Sequence, residues 1–215
     1  MAVTALNLTS GAGSGTSANT ASISPAANKL ILVSVRNGLA GTPNEPTITG
    51  ASMTWVKIAT AFDGVNNRVT IFRGLSASPS SGALTIDCGG QSQSAIGWSV
   101  DQFTGIDISG TNGSGAIVQS NTATLNGSAS SITVTLSAFG SSNNATYGAA
   151  FWGPEGPTAG ANFTSLAGAS NMTAQWANNP QTSVNWTFGS NSSQGDAVAV
   201  EIKIVSTPSG SFQFL

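Results

Sequence analysis

The sequence has no histidine. That removes the Ser-His-Asp triad, the Cys-His nucleophile pair and every imidazole metal site. Cys88 is the only cysteine, which excludes an intrachain disulfide, a thiolate zinc cluster and a CxxC redox pair. Charge is just as scarce: six Lys and Arg and eight Asp and Glu make 7% of the 215 residues, against about 25% in an average globular protein. Six scattered cations at net charge −2 give no electrostatic footprint for nucleic acid. Long apolar runs are missing too. The longest strongly apolar run, Leu30-Ile-Leu-Val33, falls far short of the ~20 residues of a membrane helix. The opening residues Met1 to Thr9 have neither a basic region nor an unbroken apolar stretch, so no signal peptide is expected there. Helical periodicity is also absent, since no stretch of about 12 residues places apolar side chains at i, i+3, i+4 and i+7.

What remains is Gly, Ser, Thr and Asn around short apolar alternations, the pattern of strands. Lys29 to Arg36 reads as a strand buried on both sides. Thr54 to Phe62 and Asn67 to Leu75 form a hairpin across Asp63-Gly64. Ser94 to Phe103 puts Ile96, Trp98 and Val100 on one face and Ser99, Asp101 and Phe103 on the other. Ile132, Val134 and Leu136 alternate with threonines, and Val184, Trp186 and Phe188 share a face. In the closing strand, Gly195 to Val205, the residues Val198, Val200, Ile202 and Ile204 oppose Ala197, Ala199, Glu201 and Lys203. About twelve short strands imply an all-β fold, an antiparallel two-sheet β-sandwich of jelly-roll type, as a single domain over residues 1–215. Residues 10–20 read as a flexible small-residue loop or arm, and 206–215 as a C-terminal tail. No repeat period stands out.

Carboxylates are the only candidate catalytic groups. Asp101, Asp107 and Glu201 are weighed for glycoside hydrolysis, which needs two of them about 5–9 Å apart. The plainer reading makes Asp107 the start of a loop through an Asx-turn and Glu201 with Lys203 a solvated or paired same-face couple. No catalytic residue, metal ligand or cofactor site is assigned. Trp55, Trp98 and Trp186 belong to the core, and Cys88 is a small apolar filler. Trp152 precedes Gly-Pro-Glu-Gly-Pro157 and is the candidate exposed aromatic, or else covers a sandwich edge. Phe212, Phe214 and Leu215 follow Pro208 and Gly210 with no strand of their own. They either close one end of the sandwich or dock on a neighbouring subunit, so these three and Trp152 are the candidate interface residues.

Several segments, taken together, resemble the β-sandwich virion proteins of tailed bacteriophages. They are Asn28-Lys-Leu-Ile-Leu-Val-Ser-Val35, Pro46-Thr-Ile-Thr-Gly50 leading to Met53-Thr-Trp55, Val69-Thr-Ile-Phe-Arg73, Ile96-Gly-Trp-Ser-Val-Asp-Gln-Phe-Thr-Gly105 and Ala197-Val-Ala-Val-Glu-Ile202. The resemblance spans roughly residues 28–205 and implies a non-enzymatic capsid decoration (cement) protein. Such a protein would sit on the exterior of the virion, after synthesis in the cytoplasm of the host bacterium. Its partners would be the major capsid protein and further copies of itself, with no nucleic acid and no membrane. The rival reading is a tail or fibre-tip module that binds host-surface glycans, with Trp152 and its neighbouring loops as the site.

Overall fold

The computed structural model describes residues 2–125, 127–153, 155–192 and 194–205. Its strands, in chain order, are β1 (Thr4–Gly15), β2 (Ser17–Asn19), β3 (Leu30–Gly38), β4 (Thr47–Thr49), β5 (Val56–Phe62), β6 (Asn67–Gly74), β7 (Thr85–Asp87) and β8 (Gln93–Thr104). A single 3₁₀ turn at Ser114–Ala116 leads into the second set: β9 (Ile117–Leu125), β10 (Ala129–Thr135), β11 (Ala145–Trp152), β12 (Thr158–Ala159), β13 (Thr164–Ala169), β14 (Met172–Ala177), β15 (Ser183–Ser192) and β16 (Gly195–Ile202). No helix among the described residues is long and apolar enough to cross a membrane.

The all-β class and antiparallel sandwich packing are as expected, but the layering is richer than two sheets. A five-stranded sheet, β1-β8-β3-β6-β5, is covered by the three-stranded β2-β7-β4. A second five-stranded sheet, β9-β16-β11-β14-β13, is covered by β10-β15-β12. Numbered one to eight within each half, both halves have the same orders, 1-8-3-6-5 and 2-7-4. That is the strand order of an eight-stranded jelly roll, except that the fifth strand pairs with the sixth in the larger sheet. The chain is therefore two jelly rolls in tandem, a repeat of strand order that no period in the sequence announces.

Three apolar cores hold the four layers together. The central one lies between the two large sheets and takes Leu30, Leu32, Val69, Ile71 and Phe103 from the first half, and Tyr147, Phe151, Met172, Val198 and Val200 from the second. Beneath each small sheet lies another. Ile31, Val33, Val35, Ile96, Trp98 and Ile86 form the first, and Trp152, Trp186, Phe188, Val134, Ala197 and Ala199 the second. Each large sheet is thus buried on both faces. This is why β3 is buried at nearly every position, its apolar residues alternating between two cores.

Volume matching explains why the duplication is hard to see in the sequence. Ile48 faces Ile86 in the first small sheet, whereas the same positions in the second hold Ala159 and Trp186. The halves keep their packing by exchanging large for small. Local turns preserve more. Gly50-Ala-Ser-Met53 is closed by the Met53 N–H donating to the Gly50 carbonyl at 3.3 Å, and Gly160-Ala-Asn-Phe163 by the Phe163 N–H to the Gly160 carbonyl at 2.9 Å. Both follow a Pro-Thr pair, Pro46-Thr47 and Pro157-Thr158.

Residues 10–20, expected as a flexible loop or arm, form the second half of β1 and then β2. The small residues have a packing cause. A Cβ at Gly11 would lie 2.6 Å from the Trp98 ring, so the strand must be glycine there for the indole to lie against it. Trp98 and Trp186 are buried as expected, while Trp55 sits half-buried at the margin with its indole N–H 3.2 Å from the Gly50 carbonyl.

Candidate functional site

A cleft of about 960 Å³ opens at the end of the second jelly roll. Its wall runs from Ile117 and Val118 on β9, through the β10–β11 loop at Gly140 to Asn144, to Asn178 after β14 and to Glu201, Lys203, Ile204 and Val205 on and after β16, with Ala2 and Gly115 completing it. The lining mixes amides and hydroxyls with exposed apolar groups. Val118 and Val205, both in the wall, are 50% and 38% exposed.

Glu201 is the one carboxylate among the described residues of this wall. It is 1% exposed, which corrects its reading as a solvated or paired same-face couple with Lys203. Its Oε1 accepts from the Asn144 amide and its Oε2 from the Gln119 amide, each at 2.6 Å. Gln119 also braces the loop, donating to the Ser137 carbonyl at 3.0 Å and accepting from the Ser137 N–H at 2.9 Å. Asn144 in turn accepts from the Ile204 N–H. Glu201 thus acts as a buried two-armed acceptor that fixes one edge strand and one loop, and its lone pairs are engaged where a burial cost would otherwise arise. Lys203 pairs instead with Asp107, Nζ to Oδ2 at 2.8 Å, and this contact pulls the Asp107 carboxyl down to about 2. Asp107 also takes the Ser109 N–H at 2.8 Å, the expected Asx-turn.

Asp101 lies elsewhere. It is fully buried between the large sheets and accepts from Asn7, Ser99 and the Tyr147 hydroxyl, each at 2.8 Å. Tyr147 and Ser34 share a further hydrogen bond at 2.7 Å. Burial pushes the Asp101 carboxyl up to about 6, against the pull of those three donors, and pushes the Tyr147 hydroxyl well above its ordinary value. The network joins β1, β3 and β8 of one half to β11 of the other, so it is a polar seam inside the core. The three weighed carboxylates are accordingly not one site: Asp101 is in the seam, Asp107 is tied to Lys203 and Glu201 is in the cleft wall. The described cleft brings together one carboxylate, where paired-carboxylate hydrolysis needs two.

A second polar cluster sits where the halves meet at the other end. Asp196, on β16, is fully buried, and its carboxyl has no well-formed side-chain hydrogen bond, only a weak backbone contact with Asp63. Desolvation, then the nearby Asp63 charge, pushes its carboxyl up to about 8, against the pull of Arg68 and Arg36. Asp63 is itself saturated, its Oδ1 accepting from the N–H groups of Val65, Asn66 and Asn67 and its Oδ2 from the Asn67 amide. The Arg36 guanidinium lies over the Phe151 ring, 4.4 Å from its centroid, and lines a pocket of about 260 Å³ with Asn67 and Phe151. No group of three or more His, Cys, Asp or Glu among the described residues is placed to hold a metal ion.

Trp152, the candidate exposed aromatic, is fully buried. Its ring stacks on Phe188 with centroids 3.9 Å apart and planes 5° from parallel. The Gly/Pro run after it marks the strand end correctly, but the side chain points into the core beneath the second small sheet, so it offers no platform to a partner or a sugar. Phe212, Phe214 and Leu215 lie outside the described residues. Sequence reasoning missed Gln119, Asn144 and Asn178. The only signal was the run Ser141-Ser-Asn-Asn144 before a strand, which marks a polar loop without saying what it surrounds. Asp196 was also missed; an acid set directly before the apolar run Ala197-Val-Ala-Val200 was its signal.

No protein-family model matches the chain, and neither a curated protein nor a solved structure is significantly similar to it.

Proposed function

We propose that the protein is a non-enzymatic decoration (cement) protein of a bacteriophage head, which binds the outside of the shell and stabilises it by surface adhesion. The observation that supports this best is the chemistry of the two outer layers. On the first small sheet Ser17, Asn19, Thr47 and Thr49 face outward, and on the second Ser131, Thr133, Thr135 and Thr187, each set over a buried apolar row. These surfaces are rich in hydroxyls, and their charge is sparse: the first carries one carboxylate, Asp87, between Ser17 and Thr47. They suit a partner met over area, with many weak hydrogen bonds and little electrostatic steering. Such a surface also lacks the net charge that ordinarily keeps soluble proteins apart. The sequence resemblance points the same way, although a jelly roll by itself hosts many functions.

Adhesion of this kind requires about 800 Å² per partner, repeated at each capsomer junction, and gains from multivalency when the protein is itself an oligomer. The major capsid protein is the proposed partner. Co-sedimentation of purified protein with empty phage shells tests this. The reading expects saturable binding at a fixed ratio to the capsid subunit and shells that resist heat better when decorated. Protein that stays in the supernatant at every ratio would overturn it.

A further inference from the structure

The two jelly rolls treat the outer edge of their first strand differently. β1 and β9 each end their large sheet, with β8 and β16 as their neighbours. Ala5 faces Phe103 and Ile117 faces Ile202, and all four side chains pack in or against the central core, so these pairs correspond. The next facing pairs are Leu6 with Gln102 and Gln119 with Glu201. Gln119 seals its edge. Its amide both donates to and accepts from the Ser137 backbone, and the Asn121 amide donates to the Thr135 carbonyl at 2.8 Å, so the outer flank of β9 is tied to the end of β10. Leu6, in the corresponding place, makes no such tie. It is 57% exposed, the most exposed large apolar side chain among the described residues. Its polar neighbours turn away: Asn7 donates inward to Asp101, and Thr4 bonds Thr104 across the ladder.

The remaining edges of the large sheets carry ordinary protections against strand pairing. β5 is marked by Lys57, ion-paired with Glu45, and β13 is six residues long with a register shift after Ser165. β1 is twelve residues long without a charge or a proline. Its ladder with β8 is regular from Thr4 to Asn7, ahead of a shift before Thr9, and among the described residues no second strand pairs with it. Backbone N–H and C=O groups on that outer side are open to a further strand.

The chemistry of the edge selects its occupant. Under a two-fold axis an antiparallel strand is its own complement, because its donors and acceptors meet those of its copy. A charged edge would set like charges face to face in that arrangement, and β1 has none to set. Directly opposed residues share a face, so an axis at Leu6 places the two leucines against each other and takes both out of water.

We propose that β1 is the self-association edge of the protein: residues 4–8 pair antiparallel with the same residues of a second copy, about a two-fold axis at Leu6. The first five-stranded sheets of the two copies then join into one continuous sheet. This goes beyond the decoration reading and stands without it.

Opposed residues of an antiparallel pair have Cα atoms about 4.5–5.5 Å apart, within disulfide reach. Leu6→Cys in the full chain should therefore link two copies under mild oxidation, giving a dimer on a non-reducing gel and, by mass spectrometry, a peptide joined to its own copy. Cys88 is buried, so wild type should stay unlinked. Val65→Cys, at a side chain 54% exposed in the β5–β6 turn, reports chance collision and should link far more slowly. Leu6→Lys sets two like charges across the axis. Sedimentation over a concentration series should show a wild-type dimer that dissociates on dilution, and a Leu6→Lys chain that stays monomeric with an unchanged Tm. A wild type that is monomeric at every concentration, a Leu6→Lys chain that dimerises like wild type, or Leu6→Cys that links no faster than Val65→Cys would overturn the proposal. None of these readouts involves shells, so failure here and failure of the decoration reading are separable.

Discussion

Replacing Asp196 by Asn should flatten the pH dependence of stability. The carboxyl is fully buried at the junction of the two jelly rolls, with no more than a weak backbone contact from Asp63 to offset its burial. The charged groups facing it are Asp63 in the β5–β6 turn, Arg68 on β6 and Arg36 on β3, and the balance lifts it from 3.8 to about 8. Below pH ~4 the group is protonated in both folded and unfolded chains and contributes no slope. Between about 4 and 8 the folded chain keeps a proton that the unfolded chain has lost, so stability falls as pH rises. Above about 8 both are ionised and the loss is complete. At about 1.4 kcal/mol per pH unit, that interval sets a ceiling of about 5–6 kcal/mol. Asp101, raised to about 6, adds loss of the same sign in the lower part of the range. The assay is denaturant unfolding followed by tryptophan fluorescence from pH 4 to 9. Wild type should be most stable near pH 4. Asp196→Asn should match it there and exceed it by several kcal/mol at pH 8.5, worth roughly 2–4 °C in Tm per kcal/mol. Stability that is level or rises from pH 5 to 8, or a variant with the wild-type slope, would refute the reasoning.

Three further outcomes follow from the packing. Trp98→Ala should cost about 3–5 kcal/mol through the cavity left beneath the first small sheet, and an unchanged Tm would remove Trp98 from that core. At Gly148 an added Cβ would lie 2.7 Å from the Trp186 ring, so Gly148→Ala should cost about 1–3 kcal/mol by overpacking, read by calorimetry. Tyr147→Phe removes the phenol that donates to buried Asp101, and should cost about 1–3 kcal/mol in equilibrium unfolding at pH 7, where that carboxylate is ionised.

The sequence shows the parts of the fold that alternate locally. Asp63-Gly64 marks the β5–β6 hairpin because the Asp63 carboxylate collects the turn's own N–H groups. Ile132 and Val134 mark a strand because one face is solvated and the other covered. What is decided by distant partners stays hidden. The glycines of β1 look like a loop until Trp98, far along the chain, is seen lying over them. Glu201 looks solvated beside Lys203, yet its partners are Gln119 and Asn144 on other elements. Trp152 looks exposed before its Gly/Pro run, yet Phe188 covers it. The duplication is masked because the halves trade bulk, as Ile48 with Ile86 becomes Ala159 with Trp186. Jelly-roll topology survives such exchanges because it rests on backbone pairing, which residue identity signals only weakly.

Electron microscopy of phage heads assembled with and without this chain tests the central claim most directly. The account predicts extra density on the outer shell at capsomer junctions, fitted by two stacked jelly rolls with a three-stranded sheet against the capsid. Heads identical in both preparations, or density confined to the tail, would contradict it.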